Sequence, residues 1–154
     1  MNVNRNAPVV ARKSVVIRTP VDAIWRLLAD IDRWPNWNPD IRHIALRQPV
    51  AQGAVFHWEF GGRSFSSRIH EVIPTRKLAW SGQAGMVLTL HVWTLVPIED
   101  GVSVQAEISW EGLSLPGEAR DLQRALETAL GRWLSFLKDD VEDRVRFAEF
   151  VMEE

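Results

Sequence analysis

The feature that most constrains this chain is an amphipathic run near its C-terminus, from about Ala119 to Val151. Leu122, Ala125, Leu126, Ala129, Leu130, Trp133, Leu137, Val141, Val145 and Ala148 recur in steps of three and four, which places them on one stripe of an α-helix. Arg120, Arg124, Glu127, Arg132, Lys138, Asp139, Asp140 and Arg144 fall mostly off that stripe. At about 1.5 Å per residue the helix approaches about 50 Å, longer than a domain of this size is wide. A stripe so apolar must be buried against another element. The charged run Lys138 to Glu142 marks where the helix is expected to bend or its tail to project.

What precedes the helix changes period. Lys13 to Arg18 reads as a first strand. Thr19-Pro20-Val21-Asp22 then signals a helix start, with Thr19 as the expected cap and Pro20 at the first helical position. Val21, Ile24, Trp25, Leu27 and Leu28 supply the apolar side of a short helix, and a second short turn is expected from Asp32 until Pro35 and Pro39 break it. From Asp40 onward the period is two. Strands are expected at Ile41–Leu46, Ala54–Phe60, Arg63–Ile73, Lys77–Ser81, Val87–Val96 and Val102–Trp110. Gly61-Gly62 and Asp100-Gly101 are hairpin turns, and Gly82 to Gly85 is read as a loop. Short links between neighbouring strands favour an antiparallel meander over βαβ units. The expectation is an α+β fold in which a curved antiparallel sheet of about seven strands wraps a long C-terminal helix, with two short helices after the first strand. Residues 12–152 form a single domain in this reading, and residues 1–11 a short flexible tail. A strongly curled sheet is only partly filled by one helix, so a cavity or cleft remains.

Composition narrows the function. Eighteen basic and twenty acidic side chains leave a formal charge of −2, which removes the electrostatic argument for a nucleic-acid partner or an anionic membrane. With no cysteine, thiolate catalysis and cysteine-ligated metals are excluded. No apolar run is long enough for a spanning helix, so stable membrane insertion is not expected and a cytoplasmic location is the default. His43, His57, His70 and His91 form no local metal-ligand motif, and no nucleotide-binding glycine motif is present, so neither a metal nor a cofactor is expected. Eight tryptophans and six phenylalanines accompany no tyrosine at all. Such an excess builds either an aromatic core or a cavity walled by indoles.

Several segments in this order resemble the START-like, Bet v 1-like superfamily, in its polyketide cyclase/dehydrase and lipid-transport branch. They are Thr19 to Leu28, Trp34-Pro35-Asn36-Trp37-Asn38-Pro39-Asp40-Ile41, Leu78-Ala79-Trp80-Ser81-Gly82, His91-Val92-Trp93, Ser109-Trp110-Glu111-Gly112 and the closing stretch Leu126 to Leu137. The resemblance covers residues 12 to 145 and implies a helix-grip fold with a hydrophobic cavity between sheet and helix. It implies a small hydrophobic ligand and leaves the chemistry open, because aromatase/cyclases, ligand carriers, lipid-transfer domains and co-chaperone-like domains share the fold. The better-defined cyclases place Arg, Tyr or His in the pocket, and the absence of tyrosine here departs from that pattern.

The expected cavity residues are Trp37, Phe56, Trp58, Phe65, Trp80, His91, Trp93, Trp110, Leu126, Leu130 and Trp133. Phe56, Trp58 and Phe60 share one phase of their strand, and Trp110 belongs to the apolar phase of its own. Trp34 and Trp37 either cover the opening or anchor the short-helix segment. His91 and His70 are the candidate acid/base groups, since imidazole titrates near neutral pH; the alternative for His91 is a satisfied structural histidine. Arg68 and His70 share a phase and Glu71 has the opposite one, so a bulge is required to bring all three to one face. Three function classes follow: a carrier or sensor for an aromatic, polyketide-like or lipid-like molecule, a cyclase or dehydratase acting on one, and a protein-interaction module. Val141, Val145, Phe147, Phe150 and Val151 either cover a second subunit in a homodimer or pack along the chain's own sheet.

Overall fold

A computed structural model describes residues 1–112 and 116–153. Seven strands form one antiparallel sheet: β1 (Val9–Ile17), β2 (Ile41–Leu46), β3 (Val55–Phe60), β4 (Arg63–Ile73), β5 (Lys77–Ala84), β6 (Val87–Ile98) and β7 (Gly101–Glu111). Their order across the sheet is β1-β7-β6-β5-β4-β3-β2, so the first two strands lie at opposite edges. The connection between those edges contains helix α1 (Val21–Ala29) and a 3-10 helix (Ile31–Asn36). Helix α2 (Pro116–Glu153) closes the chain, and the curved sheet wraps it as expected for a helix-grip fold.

Alternation decides the faces. Phe56 and Trp58 of β3, Phe65, Ser67 and Ile69 of β4, Leu78 and Trp80 of β5, Thr89, His91, Trp93 and Leu95 of β6, and Val102 to Trp110 taken every second residue of β7 are buried on the concave side. From α2 the buried residues are Leu126, Leu130, Trp133, Leu134, Leu137 and Val141. These residues, with Ile24, Leu28, Ile31 and Trp34 of the connecting segment, make one hydrophobic core. The β3–β4 turn is Gly61-Gly62, with φ of 59° and 75°, the left-handed values that a two-residue hairpin turn demands at both positions.

Helix α2 is secured to the sheet edge by a side chain that the apolar stripe does not include. The Gln123 amide accepts from the Val10 N–H at 3.1 Å and donates to the Val10 carbonyl at 2.7 Å. It thereby occupies backbone groups on the free side of edge strand β1.

The structure departs from the sequence expectations at the start of β1, the cap of α1 and the end of β5. Strand β1 begins at Val9, ahead of the expected Lys13. The preceding residues lie on the outer face, where Val3 is buried against Ala79 and Val92 in a small second cluster. The Met1 ammonium and Lys77 both pair with Glu71; the ammonium hydrogen bond holds that carboxyl below its ordinary pKa, against some desolvation and with help from Lys77. Thr19 does not cap α1: extended Pro20 takes the cap position, and the Thr19 hydroxyl lies one residue too early. Strand β5 continues to Ala84 instead of ending at Ser81, because Ala84 still pairs with Val87 and Gly85, at φ 59°, turns the chain. The bulge that the phases of Arg68, His70 and Glu71 require is present, a register shift between Ile69 and Glu71 with His70 as the extra residue, and it brings all three to the outer side. Of the two alternatives for Lys138–Glu142, a break is absent and the tail is exposed: α2 runs on through this segment, and beyond Val141 Phe147, Phe150, Val151 and Met152 face solvent.

Candidate functional site

The space between sheet and helix is largely occupied at its centre by aromatic rings. Trp34, from the 3-10 helix, is fully buried, with ring centroids 5.2 Å from Trp80, 5.4 Å from Trp133, 5.8 Å from Phe56 and 5.9 Å from Trp58. Most of these pairs are edge-to-face or tilted, the geometry that aromatic quadrupoles favour. Its indole N–H donates to the Leu28 carbonyl at 2.9 Å, which fixes the ring to the end of α1. Trp34 therefore anchors the connecting segment by filling the concavity. Trp93 joins the same cluster through Trp133, at 5.1 Å.

Empty volume lies toward the β3–β4 hairpin. A cleft of about 670 Å³ opens between the hairpin residues Phe60, Gly61 and Arg63, the end of β7 at Trp110, the entry to β2 at Pro39–Asp40, and the first half of α2. This is a volume that suits a small organic ligand. The helical wall is Leu122, Ala125, Leu126 and Ala129, and the last two turns of the cleft are bounded by Thr128 and Arg132. The reason for the space is legible along the stripe. Ala125 and Ala129 present only methyl groups, whereas the next positions of the same face, Trp133 and Leu137, reach into the core and are buried.

Of the residues expected to wall a cavity, Trp110 and Leu126 line this cleft. Phe56, Trp58, Trp80, Trp93, Leu130 and Trp133 lie in the packed core beside it, as does Phe65, which is edge-on to Trp110 at 5.7 Å. Trp37 is buried beneath the connecting segment. The charged residues of the cleft, Asp40, Arg42, Arg63, Arg124 and Arg132, are not among the expected cavity residues. Their only trace in the sequence is that Arg124 and Arg132 flank the two alanines of the stripe.

His91 faces inward but is a core residue. Its Nε2 is 3.1 Å from the Thr89 hydroxyl, and its ring is stacked on Trp80 and close to Trp58. Burial among aromatics pushes its pKa down to about 3, so the ring is neutral at physiological pH. The Ser67 hydroxyl, which accepts from the Trp58 indole at 2.9 Å, shares this small polar patch. Gly82 is required above it, since a β-carbon there would come within 2.5 Å of the Thr89 hydroxyl. His70, the other candidate acid/base group, is exposed on the outer face, 2.7 Å from the Ser81 hydroxyl. The two histidines are thus not brought together, and neither lines the cleft.

Asp40 is clamped by Arg132, whose Nε and Nη2 lie 2.9 and 3.0 Å from its two oxygens. That hydrogen-bonded pairing raises the guanidinium pKa. Arg63 lies over the Trp110 ring at 5.4 Å, a cation–π contact at the cleft mouth. Among the described residues, no group of His, Cys, Asp and Glu could hold a metal ion. No helix among them is long and apolar enough to cross a membrane.

The family model for polyketide cyclase/dehydrase and lipid transport matches residues 8–142. No curated protein matches the chain. Among solved structures, the hypothetical protein jhp0584 from Helicobacter pylori is similar with a TM-score of 0.80 at 17% identity, over 89% of this chain and 90% of that one. The Zhui aromatase/cyclase from Streptomyces sp. R1128 gives 0.74 at 20% identity, over 90% and 96%. A START superfamily protein from Mycobacterium smegmatis gives 0.73 at 17% identity, over 87% and 97%. At such identities these likenesses establish the fold.

Proposed function

Because the chain belongs to the polyketide cyclase/dehydrase and lipid-transport family, we propose that it binds a small hydrophobic molecule in the cleft between the β3–β4 hairpin and α2, as a carrier or sensor. The observation that carries this reading is a cleft of about 670 Å³ floored by Phe60, Trp110, Leu122 and Leu126. Affinity would come from removing the ligand's apolar surface from water and from contact with the two aromatic rings.

A cyclase reading needs a group able to move protons at the ligand. The cleft's lining offers a carboxylate already engaged by Arg132, and His91 is neutral and sits in the core beside it. Similarity to an aromatase/cyclase is a likeness of fold and does not outweigh that chemistry. The carrier reading is therefore the stronger of the two. For partners, the exposed apolar residues of the α2 tail support self-association over packing along the chain's own sheet.

The test is a titration with N-phenyl-1-naphthylamine, a neutral aromatic probe whose fluorescence rises in apolar surroundings. Saturable binding is expected, with Ala129→Phe weakening it at least about tenfold by filling the cleft, an effect of about 1.4 kcal/mol. Ala129 is only half-buried, so the thermal midpoint of the variant should stay close to that of the parent. Absence of binding, or equal binding by the variant, would overturn the reading.

A further inference from the structure

The charges around the cleft narrow the class of ligand, an inference that rests on the cleft being the binding site. The whole chain carries a formal charge of −2, yet the charged residues lining the cleft are four arginines and one aspartate. The aspartate, Asp40, is engaged through both oxygens by Arg132. Arg42 makes no ion pair among the described residues, and its cross-strand neighbour Glu59 lies 3.9 Å from His43. Four arginines against one aspartate leave three cations in excess in the lining. Arg63 reaches Glu118 only at 3.9 Å while lying over Trp110, and Arg124 is exposed with no ion pair among the described residues.

The hydrogen-bonding capacity leans the same way. Arg63 and Arg124 carry hydrogen-bond donors only. A ligand that satisfies these groups must bring acceptors. Guanidinium forks match the paired oxygens of carboxylates and phosphates, and they do so beside an apolar floor that a hydrocarbon or aromatic body would cover.

We propose that the cleft takes an anionic amphiphile, its apolar body on Phe60, Trp110 and Leu126 and its carboxylate or phosphate held by Arg63 and Arg124 from opposite walls. The hairpin supplies one arginine and α2 the other, so the head group bridges the two sides of the cleft mouth.

The experiment is displacement of N-phenyl-1-naphthylamine from the full chain at low ionic strength by four dodecyl compounds below their micelle concentrations: dodecanoate, dodecyl phosphate, dodecanol and dodecyltrimethylammonium. At least one anion should compete about tenfold more tightly than dodecanol, the cation should be weakest, and 0.5 M NaCl should erode the difference, as expected for partly exposed charges. Whichever anion competes better identifies the head group. Arg63→Gln and Arg124→Gln should each reduce the anion's advantage over dodecanol about three-fold or more; circular dichroism melts verify that each variant is folded. Dodecanol competing as well as both anions, or an advantage that survives both substitutions, would overturn the proposal while leaving the cleft as a hydrophobic site. Failure of the probe to bind the parent chain would remove the cleft reading itself, and this inference with it.

Discussion

The imidazole of His91 lies flat on the indole of Trp80, with ring centroids 4.8 Å apart and planes inclined by 11°. That stack places the histidine inside the aromatic core, where its cationic form has lost water and gained no carboxylate in return.

A pH dependence follows from it. The folded chain keeps His91 neutral down to about pH 3, whereas in the unfolded chain it titrates at its ordinary value of 6.5. Its stabilising contribution is therefore complete above pH 6.5 and declines as the pH falls toward 3, with a slope of at most about 1.4 kcal/mol per pH unit. Denaturation of the parent and of His91→Gln between pH 7 and 4 should show a stability difference that shrinks with acidity. A constant difference would mean that His91 is not buried neutral.

Trp133 is 2% exposed and touches Trp34, Trp58, Phe60, Trp80 and Trp93. Trp133→Ala should cost about 3–5 kcal/mol in chemical denaturation. An unchanged midpoint would show that the ring does not fill the core.

The outer-face cluster gives a smaller effect. Val3→Ala removes two methyl groups packed on Ala79 and Val92 and should cost about 1.5 kcal/mol. Faster exchange of the β5 and β6 amides in that variant would place the loss on the outer face. No measurable cost would mean that the residues before β1 are not held there.

Beyond Val141 the α2 tail carries Phe147, Phe150, Val151 and Met152 in the open. Sedimentation of the full chain is expected to give a dimer that dissociates when the chain is ended after Asp140. Two monomers of proportionate mass would remove self-association as the tail's role.

Much of the fold could be read from periodicity, because burial on one face leaves a strict mark at every second strand residue and every third or fourth helical one. Phe56-Trp58-Phe60 and Val102 to Trp110 point inward as the alternation required. The site was less legible. A large ring in the inward phase can wall a cavity or fill it, and the choice depends on a residue remote in sequence: Trp34, in a short 3-10 helix with little periodicity, enters the space beside Trp58 and Trp80. The informative signal was small size. Ala125 and Ala129 interrupt a stripe of large residues, and the cleft lies against them. The bulge at His70 depends on register with β5, which one strand's own sequence does not fix.

The proposed ligand enters between the β3–β4 hairpin and the first half of α2. Chemical-shift mapping of the isotope-labelled chain with N-phenyl-1-naphthylamine tests it most directly. Perturbations are expected at the Phe60 to Arg63 amides, the Trp110 indole N–H and the Leu122 to Ala129 amides, with the β1 amides unmoved. Perturbations confined to the outer face around Val3 and Val92 or to the α2 tail, or none at saturating probe, would contradict it.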